Sequence, residues 1–157
     1  MKKREVKNNL FLSIKLLIEE AKQKVVRNVN SIIVYTHFEI GKIIIKNEQK
    51  GKKRAQYAKK TLIQLSTALT NEYGNGYSRS NLEYTRKFYL LYKNRISQPV
   101  VGELPGSFQL CWSHYIQLLT IEDENERNFY EVGAAREAYL YSLEHSIENV
   151  CNFSFCG

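Results

Sequence analysis

The sequence predicts a mainly α-helical bundle of about six helices that contains a helix-turn-helix. Apolar residues recur every three or four positions over most of the 157 residues, which is the helical period. A Gly-Asn-Gly sequence at 74–76 separates two of these periodic segments, and both prolines fall within one other segment, 96–110. A chain of this length supports one domain and can bury most of its apolar surface.

The first helix is predicted from residue 10 onward and is apolar on two sides. One stripe runs along its whole length, and a second lies roughly opposite when each residue turns the helix by about 100°. Such a helix lies at the centre of a bundle or in a dimer seam, and we expect the centre because domain cores are commoner. The first stripe contains Leu10, Ile14, Leu17, Ala21, Val25, Val29, Ile32, Ile33, Thr36, Ile40, Ile43 and Ile44, and the second contains Val34, Phe38 and Ile45.

A basic segment at 50–60 precedes the second predicted helix. It is dense in Lys and Arg and contains no acid, so it must face solvent or a polyanion. Gly51 can end the first helix, and apolar residues then keep helical spacing from Ala58 to Tyr73. The glycines of 74–76 tolerate positive φ and should end this second helix in a tight turn.

The third predicted helix covers 79–93 and has one apolar and one basic side. Ser78 or Ser80 can cap its start, and Ser80 has capping-box spacing to Glu83. Its spacing predicts burial of Leu82, Thr85, Phe88, Tyr89 and Tyr92, while Arg79, Arg86 and Lys93 recur every seven residues on the other side.

A helix, a glycine turn and a basic helix together form the outline of a helix-turn-helix. In that motif the first helix braces the second, whose N-terminal residues enter the major groove of DNA. Arg side chains and short hydroxyls suit guanine edges and phosphates, and the apolar side fixes the angle of the helix. The alternative is an αα-hairpin whose basic stripe is only solvated, because helix-glycine-helix alone is a weak signal.

The segment 96–110 should be a loop or a short β-ribbon after the third helix. A wing is conceivable if 100–101 pair with 108–110, although two or three residues per strand are few. The motif that follows is expected to be structural, with Trp112 buried, Ser113 capping a short helix through Leu119, and His114 bonded to neighbouring backbone.

The last predicted helix runs through Ala138. Asp123 and Glu126 have the spacing of an N-cap and the third helical position. The acids of 122–126 suit the positive end of the helix dipole and need no ligand to explain them.

Charge is divided unequally between the two halves of the chain. Residues 1–95 carry 21 Lys and Arg against 7 Glu, a balance of +14, whereas 96–157 carry 2 Arg against 9 acids, a balance of −7. A basic excess in one half predicts a polyanionic partner, most often nucleic acid, and the alternative is a solvated Lys-rich surface. The apolar run 10–18 is interrupted by Ser13 and Lys15, so we expect a cytoplasmic protein with no membrane partner.

Candidate catalytic and metal-binding residues are few. Cys111, Cys151 and Cys156 form no CxxC pair, so neither a disulfide framework nor a zinc site is indicated. His37 and His145 read as packing or surface residues, and Cys111 with a histidine three residues later lacks an evident orienting acid. We therefore expect no metal, no cofactor and no small-molecule ligand.

Two long runs resemble a known family. YAKKTLIQLSTALTNEYGNGYSRSNLEYTRKFY at 57–89 and LCWSHYIQLLTIEDENERNFYEVGAAREAY at 110–139 are similar to the N-terminal domain of the YhcG-type predicted nucleases, a domain of unknown function. The resemblance covers 21–147, leaving an N-terminal amphipathic helix extension at 1–20 and an atypical tail at 148–157. It implies a helical DNA-binding module that normally precedes a PD-(D/E)xK nuclease domain.

The chain departs from that family pattern near its end. Tyr139 stands at the aromatic position where the family has Trp, and no base follows Arg136, so we expect the chain to stop before the catalytic domain. A nuclease of that class needs an Asp and an acid-x-Lys element to hold Mg²⁺. The single Asp, Asp123, has no such Lys after it, which predicts that the chain is not an enzyme.

Together these observations predict a non-catalytic module that binds duplex DNA through a basic helix-turn-helix. The DNA-binding residues are expected to be Arg79, Ser80, Asn81, Arg86, Lys87 and Lys93 on the third helix, and Lys52, Lys53, Arg54, Lys59 and Lys60, which would contact phosphates. The alternative is a protein-interaction or dimerisation module that uses the helix at 25–45 and the acidic second half to hold a separate nuclease subunit or a second copy. RNA binding is a weaker alternative, suggested by eleven tyrosines.

Overall fold

The computed structural model describes the backbone of residues 2–50, 55–94 and 108–144 and the side chains of 10–49, 59–94 and 108–138. These residues form α1 (Lys2–Lys50), α2 (Ala55–Tyr73), a 3-10 helix (Asn75–Tyr77), α3 (Arg79–Tyr92), α4 (Trp112–Leu118) and α5 (Glu124–Glu144). The prediction of a mainly helical fold is confirmed. The described ranges contain five α-helices, against about six predicted, and no strand.

The first helix is continuous for 49 residues, and its two halves have different environments. In the second half, Val34, Phe38, Ile44 and Ile45 are buried. In the first half most apolar side chains are exposed. The second predicted stripe, Val34, Phe38 and Ile45, is therefore buried, as expected for a core helix. The first stripe, also placed in the core by the sequence, is largely exposed along 10–43, so the helix is covered on one side only.

α3 packs more extensively on α1 than on any other helix, and the two backbones approach closely at Gly41. A Cβ atom added at Gly41 would overlap the backbone oxygen of Thr85 and lie 2.9 Å from the Cβ of Tyr89. Glycine is therefore required here for space, since any side chain would push the two helices apart.

The main core is an aromatic cluster centred on Phe88. Its ring is surrounded by Phe38, Phe108, Trp112 and Tyr115, with centroid distances between 5.1 and 6.3 Å. Edge and tilted contacts of this kind are favourable because the ring quadrupoles are complementary. The aromatic residues of α3 thus tie α1 to α4 and to the segment just before α4.

α5 joins this core through a buried carboxylate. Tyr92 donates a hydrogen bond to Glu131 Oε2 at 3.3 Å, and Tyr115 donates to Glu131 Oε1 at 2.8 Å. Arg127 donates to the backbone oxygen of Ile121 at 2.9 Å, and its guanidinium also lies over the ring of Tyr92. These polar groups are buried in hydrogen-bonded positions, as buried charged groups must be.

Of the two candidate caps of α3, Ser78 and Ser80, the structure uses Ser78, the cap of α5 is as predicted, and the cap of α4 differs. Ser78 caps α3 by accepting from the backbone N–H of Asn81 at 3.4 Å, and Asp123 accepts from the N–H of Glu126 at 2.8 Å. The prediction that Ser113 caps α4 is wrong, because the helix already begins at Trp112 and its N-cap residue is Cys111.

The predicted wing falls mostly outside the described residues, since 100–107 are not among them. Phe108 and Leu110 are described, and both are buried in the aromatic core in no regular element. Their burial explains the apolar character that suggested a strand.

Candidate nucleic-acid interface

The connection between α2 and α3 is a glycine turn followed by a single turn of 3-10 helix. Gly74 has φ of 92° and donates from its backbone N–H to the oxygen of Thr70 at 3.0 Å, which ends α2. Ser66 on α2 donates to the backbone oxygen of Tyr77 at 3.1 Å. The positions of helix, turn and helix agree with the sequence, and the docking of a helix-turn-helix on DNA stays a prediction.

The α3 helix has a buried and an exposed face, as its spacing predicts. Leu82, Thr85, Phe88 and Tyr92 are buried, and Tyr89, predicted to be buried as well, is half-buried beside Gly41. The exposed residues outside the buried face are Arg79, Ser80, Glu83, Tyr84, Lys87, Leu90 and Lys93. Four of these seven belong to the predicted DNA-binding set.

Arg79 stands in the first turn of α3, beside an acid of its own helix. Its Nε lies 3.0 Å from Glu83 Oε1, and both side chains are well exposed. An exposed pair of this kind contributes little to stability, and it is easily exchanged for a stronger anionic partner. The guanidinium also lies at the positive end of the α3 dipole, which reinforces the local attraction for anions.

Two other residues that were predicted to contact DNA are half-buried and form hydrogen bonds within the protein. Asn81 donates through Nδ2 to the oxygen of Gly76 and accepts at Oδ1 from the indole N–H of Trp112 at 2.8 Å. Arg86 Nη2 lies 2.6 Å from Glu48 Oε2, which links α3 to the end of α1. The structure thus separates the basic and polar residues of α3 into an exposed group and a group that fixes the helix in place.

The remaining predicted bases lie on or just before α2. Lys59 and Lys60 are exposed in the first turns of that helix. Lys52, Lys53 and Arg54 lie outside the described residues. The exposed bases of α2 and α3 are therefore Lys59, Lys60, Arg79, Lys87 and Lys93, while α1 exposes five further bases: Lys15, Lys22, Lys24, Arg27 and Lys46.

Behind this surface lies a buried polar stack that the sequence did not reveal. The His37 ring stacks on Trp112 with centroids 4.1 Å apart, and its Nδ1 lies 3.2 Å from Thr85 Oγ1. Thr85 donates its hydroxyl hydrogen to the backbone oxygen of Asn81 at 2.8 Å. Its oxygen is therefore the acceptor in the contact with His37, and the Nδ1 atom of His37 carries the hydrogen. Burial lowers the pKa of His37 to about 4, so the ring is neutral at physiological pH.

This stack packs against the buried side of α3, opposite its exposed face. His37 comes from α1, Thr85 and Asn81 from α3, and Trp112 from the start of α4. His37 was predicted as a packing or surface residue, and it is a packing residue. Trp112 is half-buried rather than fully buried.

A small cluster of polar side chains lies at the start of α4. Cys111 Sγ is 3.2 Å from His114 Nδ1 and 3.0 Å from Ser113 Oγ. His114 is exposed and bonds this thiol rather than the backbone expected from the sequence. Among the described residues, no group of three or more His, Cys, Asp or Glu side chains is arranged to hold a metal ion.

The length and the apolar character of a helix decide whether it can cross a bilayer. Within the described ranges, no helix combines the length with the apolar character that crossing a bilayer requires.

Comparison with known proteins identifies the family. The model of the DUF1016 N-terminal domain matches residues 13–152. The chain belongs to this family. It is also similar to the protein described as "Putative nuclease YhcG" of Escherichia coli (strain K12), with 32% identity over 144 residues that cover 76% of this chain. The resemblance read from the two sequence runs is thereby confirmed.

The match covers only part of that relative. This chain of the DUF1016 N-terminal domain family spans 38% of the length of the Escherichia coli protein. No solved structure matches the chain.

Proposed function

We propose that this DUF1016 N-terminal domain is a non-catalytic module that binds duplex DNA with the exposed face of α3. The observation that carries the proposal is the separation of α3 into a buried apolar face and an exposed face with Arg79, Ser80, Lys87 and Lys93. A helix that reads DNA needs such an exposed face, and its apolar side must hold it at a fixed angle. The +14 balance of residues 1–95 supports the choice of a polyanion.

The positions of the exposed polar and basic residues along α2 and α3 suggest two roles in DNA binding. Arg79 and Ser80, at the amino end of α3, would read base edges, because the N-terminal residues of a recognition helix lie deepest in the groove. Lys87 and Lys93 would contact phosphates, together with Lys59 and Lys60 on α2 and with Lys52, Lys53 and Arg54 before it.

Asn81 and Arg86 receive a different role in this proposal. Both already bond within the protein, to Trp112 and Gly76 in one case and to Glu48 in the other. A direct DNA contact would have to break or share those bonds. We therefore assign them to holding α3 at its angle rather than to reading DNA.

The similarity to a nuclease suggests the place of this module in a longer protein. The name of the Escherichia coli relative describes a nuclease, and this chain corresponds to 38% of its length. We propose that the domain supplies DNA affinity and that cleavage belongs to a separate catalytic domain. A non-catalytic binding module needs only the basic face described above.

The first test is the salt dependence of DNA binding by the full chain. Fluorescence anisotropy with a labelled duplex of 30 base pairs should show binding at 50 mM salt. With about six phosphate contacts, affinity should fall roughly 10³-fold by 200 mM because counterions are released. An absence of binding at 50 mM salt, or an affinity that does not respond to salt, would contradict the proposal.

A second experiment distinguishes the reading of base edges from the contacts with phosphates. Arg79→Ala should relax the preference among duplex sequences, whereas Lys59→Ala should weaken binding to all sequences alike. Lys22→Ala, which removes the same charge from an exposed position on α1, is the matched control and should leave DNA affinity nearly unchanged. Equal losses for Arg79→Ala on every probe would remove the groove assignment.

A further inference from the structure

The first half of α1 exposes a concentration of large apolar side chains. Five of them on one side of the helix expose about half of their surface or more: Leu10, Ile14, Leu17, Ile18 and Val25. Scattered apolar residues are normal on a protein surface, but a contiguous apolar patch marks an interaction site. This patch is separate from the proposed DNA-binding face of α3.

These side chains form one stripe on the far side of α1 from α3. At about 100° per residue, positions 10, 14, 17, 18, 21 and 25 fall within a sector about 100° wide. By the same count, the positions that pack on α3, such as Val34, Phe38 and Ile45, lie roughly opposite. The stripe contains no charged residue, while Lys24 borders one of its edges and Phe11 the other.

Within 10–25, the spacing of the stripe is the same when read in either direction. Its members are related in pairs about the midpoint between Leu17 and Ile18: Leu10 with Val25, Ile14 with Ala21, and Leu17 with Ile18. A two-fold axis through that midpoint, perpendicular to the helix, brings each member level with its pair on a second, antiparallel copy. The two members of each pair then lie on opposite sides of the contact line and interdigitate, as in an antiparallel coiled coil.

The area available is sufficient for a specific contact. Ten large side chains from two copies, each exposing about half of its surface or more, would remove on the order of 1,000 Å² from solvent, the lower limit for a specific interface. The Lys24 stem can cover one edge of the seam while its ammonium group stays in water.

We infer that residues 10–25 of α1 bind the same segment of a second copy of this chain as an antiparallel helix pair. The inference is independent of DNA binding. It also moves the dimer seam considered from the sequence, because α3 covers one side of 25–45 and the sector of the stripe continues there only through the separate exposed residues Ile32 and Ile43.

The mass of the full chain in solution tests the inference. Light scattering coupled to size exclusion, without DNA, should give a dimer at about 50 μM. Leu17→Gln should raise the dimer dissociation constant at least tenfold, whereas Leu16→Gln should change it little. The two leucines are adjacent and similarly exposed, at 66% and 71%, but only Leu17 lies in the stripe. Circular dichroism checks that both variants keep their helical content.

The orientation is tested by disulfide crosslinking in a background where the native cysteines are replaced by serine. Chains carrying Ile14→Cys, mixed with chains carrying Ala21→Cys, should form the mixed 14–21 crosslink in preference to 14–14 and 21–21. A monomer at about 50 μM, equal effects of the two leucine variants, or preferred 14–14 crosslinks would each overturn the antiparallel pair. A monomer would mean that another partner covers the stripe.

Discussion

The two halves of α1 have the same periodicity and opposite environments. Val34 is completely buried, whereas Leu16, eighteen residues earlier on the same side of the helix, is 71% exposed. The difference comes from α3, which covers the second half, and from Gly41, which lets the two helices approach. Apolar spacing therefore shows that a helix has a face to bury, but it does not show what covers that face.

The largest effect is expected from filling the contact at Gly41. Gly41→Ala places a methyl group against the backbone oxygen of Thr85, which cannot move without shifting α3. Overpacking of this kind should lower the free energy of unfolding by about 3 kcal/mol, in spite of the better helix propensity of Ala. Urea unfolding followed by circular dichroism measures the change.

Gly133→Ala in α5 is the matched control for this substitution. A Cβ atom there would meet nothing within 4 Å, so the gain in helix propensity should stabilise the protein by about 0.5–1 kcal/mol. If both glycine variants changed stability in the same direction, the close approach of α1 and α3 would lose its support.

The second prediction applies one substitution to both halves of α1. Val34→Ala removes two methyl groups from a filled core and should cost about 2–3 kcal/mol through lost burial and the cavity left behind. Val25→Ala should cost less than about 0.5 kcal/mol in the dilute monomer, because the side chain is already in water. Similar losses at the two positions would contradict the burial of Val34 under α3 and the exposure of Val25.

The third prediction concerns pH and the buried imidazole of the packed half. The pKa of His37 is about 4 in the folded protein and near 6.5 in the unfolded chain. Between pH 4 and pH 6.5 the unfolded chain therefore binds more protons than the folded protein. The stability from neutral His37 is therefore complete above pH 6.5 and is lost as pH falls toward 4. Unfolding measurements should show a loss of about 2 kcal/mol between pH 7 and pH 5.

Substitution of the same histidine isolates its contribution. His37→Gln should flatten the stability profile in this window, even if the variant is less stable at pH 7. The exposed His114 provides the comparison, and His114→Gln should leave the profile as in the unsubstituted protein. A profile unchanged by His37→Gln would show that other groups cause the pH dependence.

The smallest expected effect distinguishes the ion pairs of the two halves. Glu48 and Arg86 are 32% exposed or less and join two helices, whereas Glu20 and Lys24 are neighbours on the exposed half of α1. Double-mutant cycles should give about 1 kcal/mol for the first pair and about 0.3 kcal/mol for the second. A larger coupling for the exposed pair would reverse the comparison.

The sequence by itself determined the helices and the faces that belong to one segment. The turn at Gly74, the cap at Ser78, and the buried positions Leu82, Thr85 and Phe88 all follow from residues within a few positions of one another. Local spacing and local backbone preference are sufficient for such features, because the interacting groups are close in the chain. The family resemblance was likewise carried by two contiguous runs.

Tertiary structure alone decided which of those faces is covered and which polar residues are exposed. The sequence predicted Asn81 and Arg86, like Arg79, to contact DNA. In the structure Arg86 bonds Glu48, 38 residues away, and Asn81 bonds Trp112, 31 residues away. The stacking of His37 on Trp112 and the space required at Gly41 have the same origin. Contacts between distant positions depend on how helices pack, and helical periodicity contains no information about the partner.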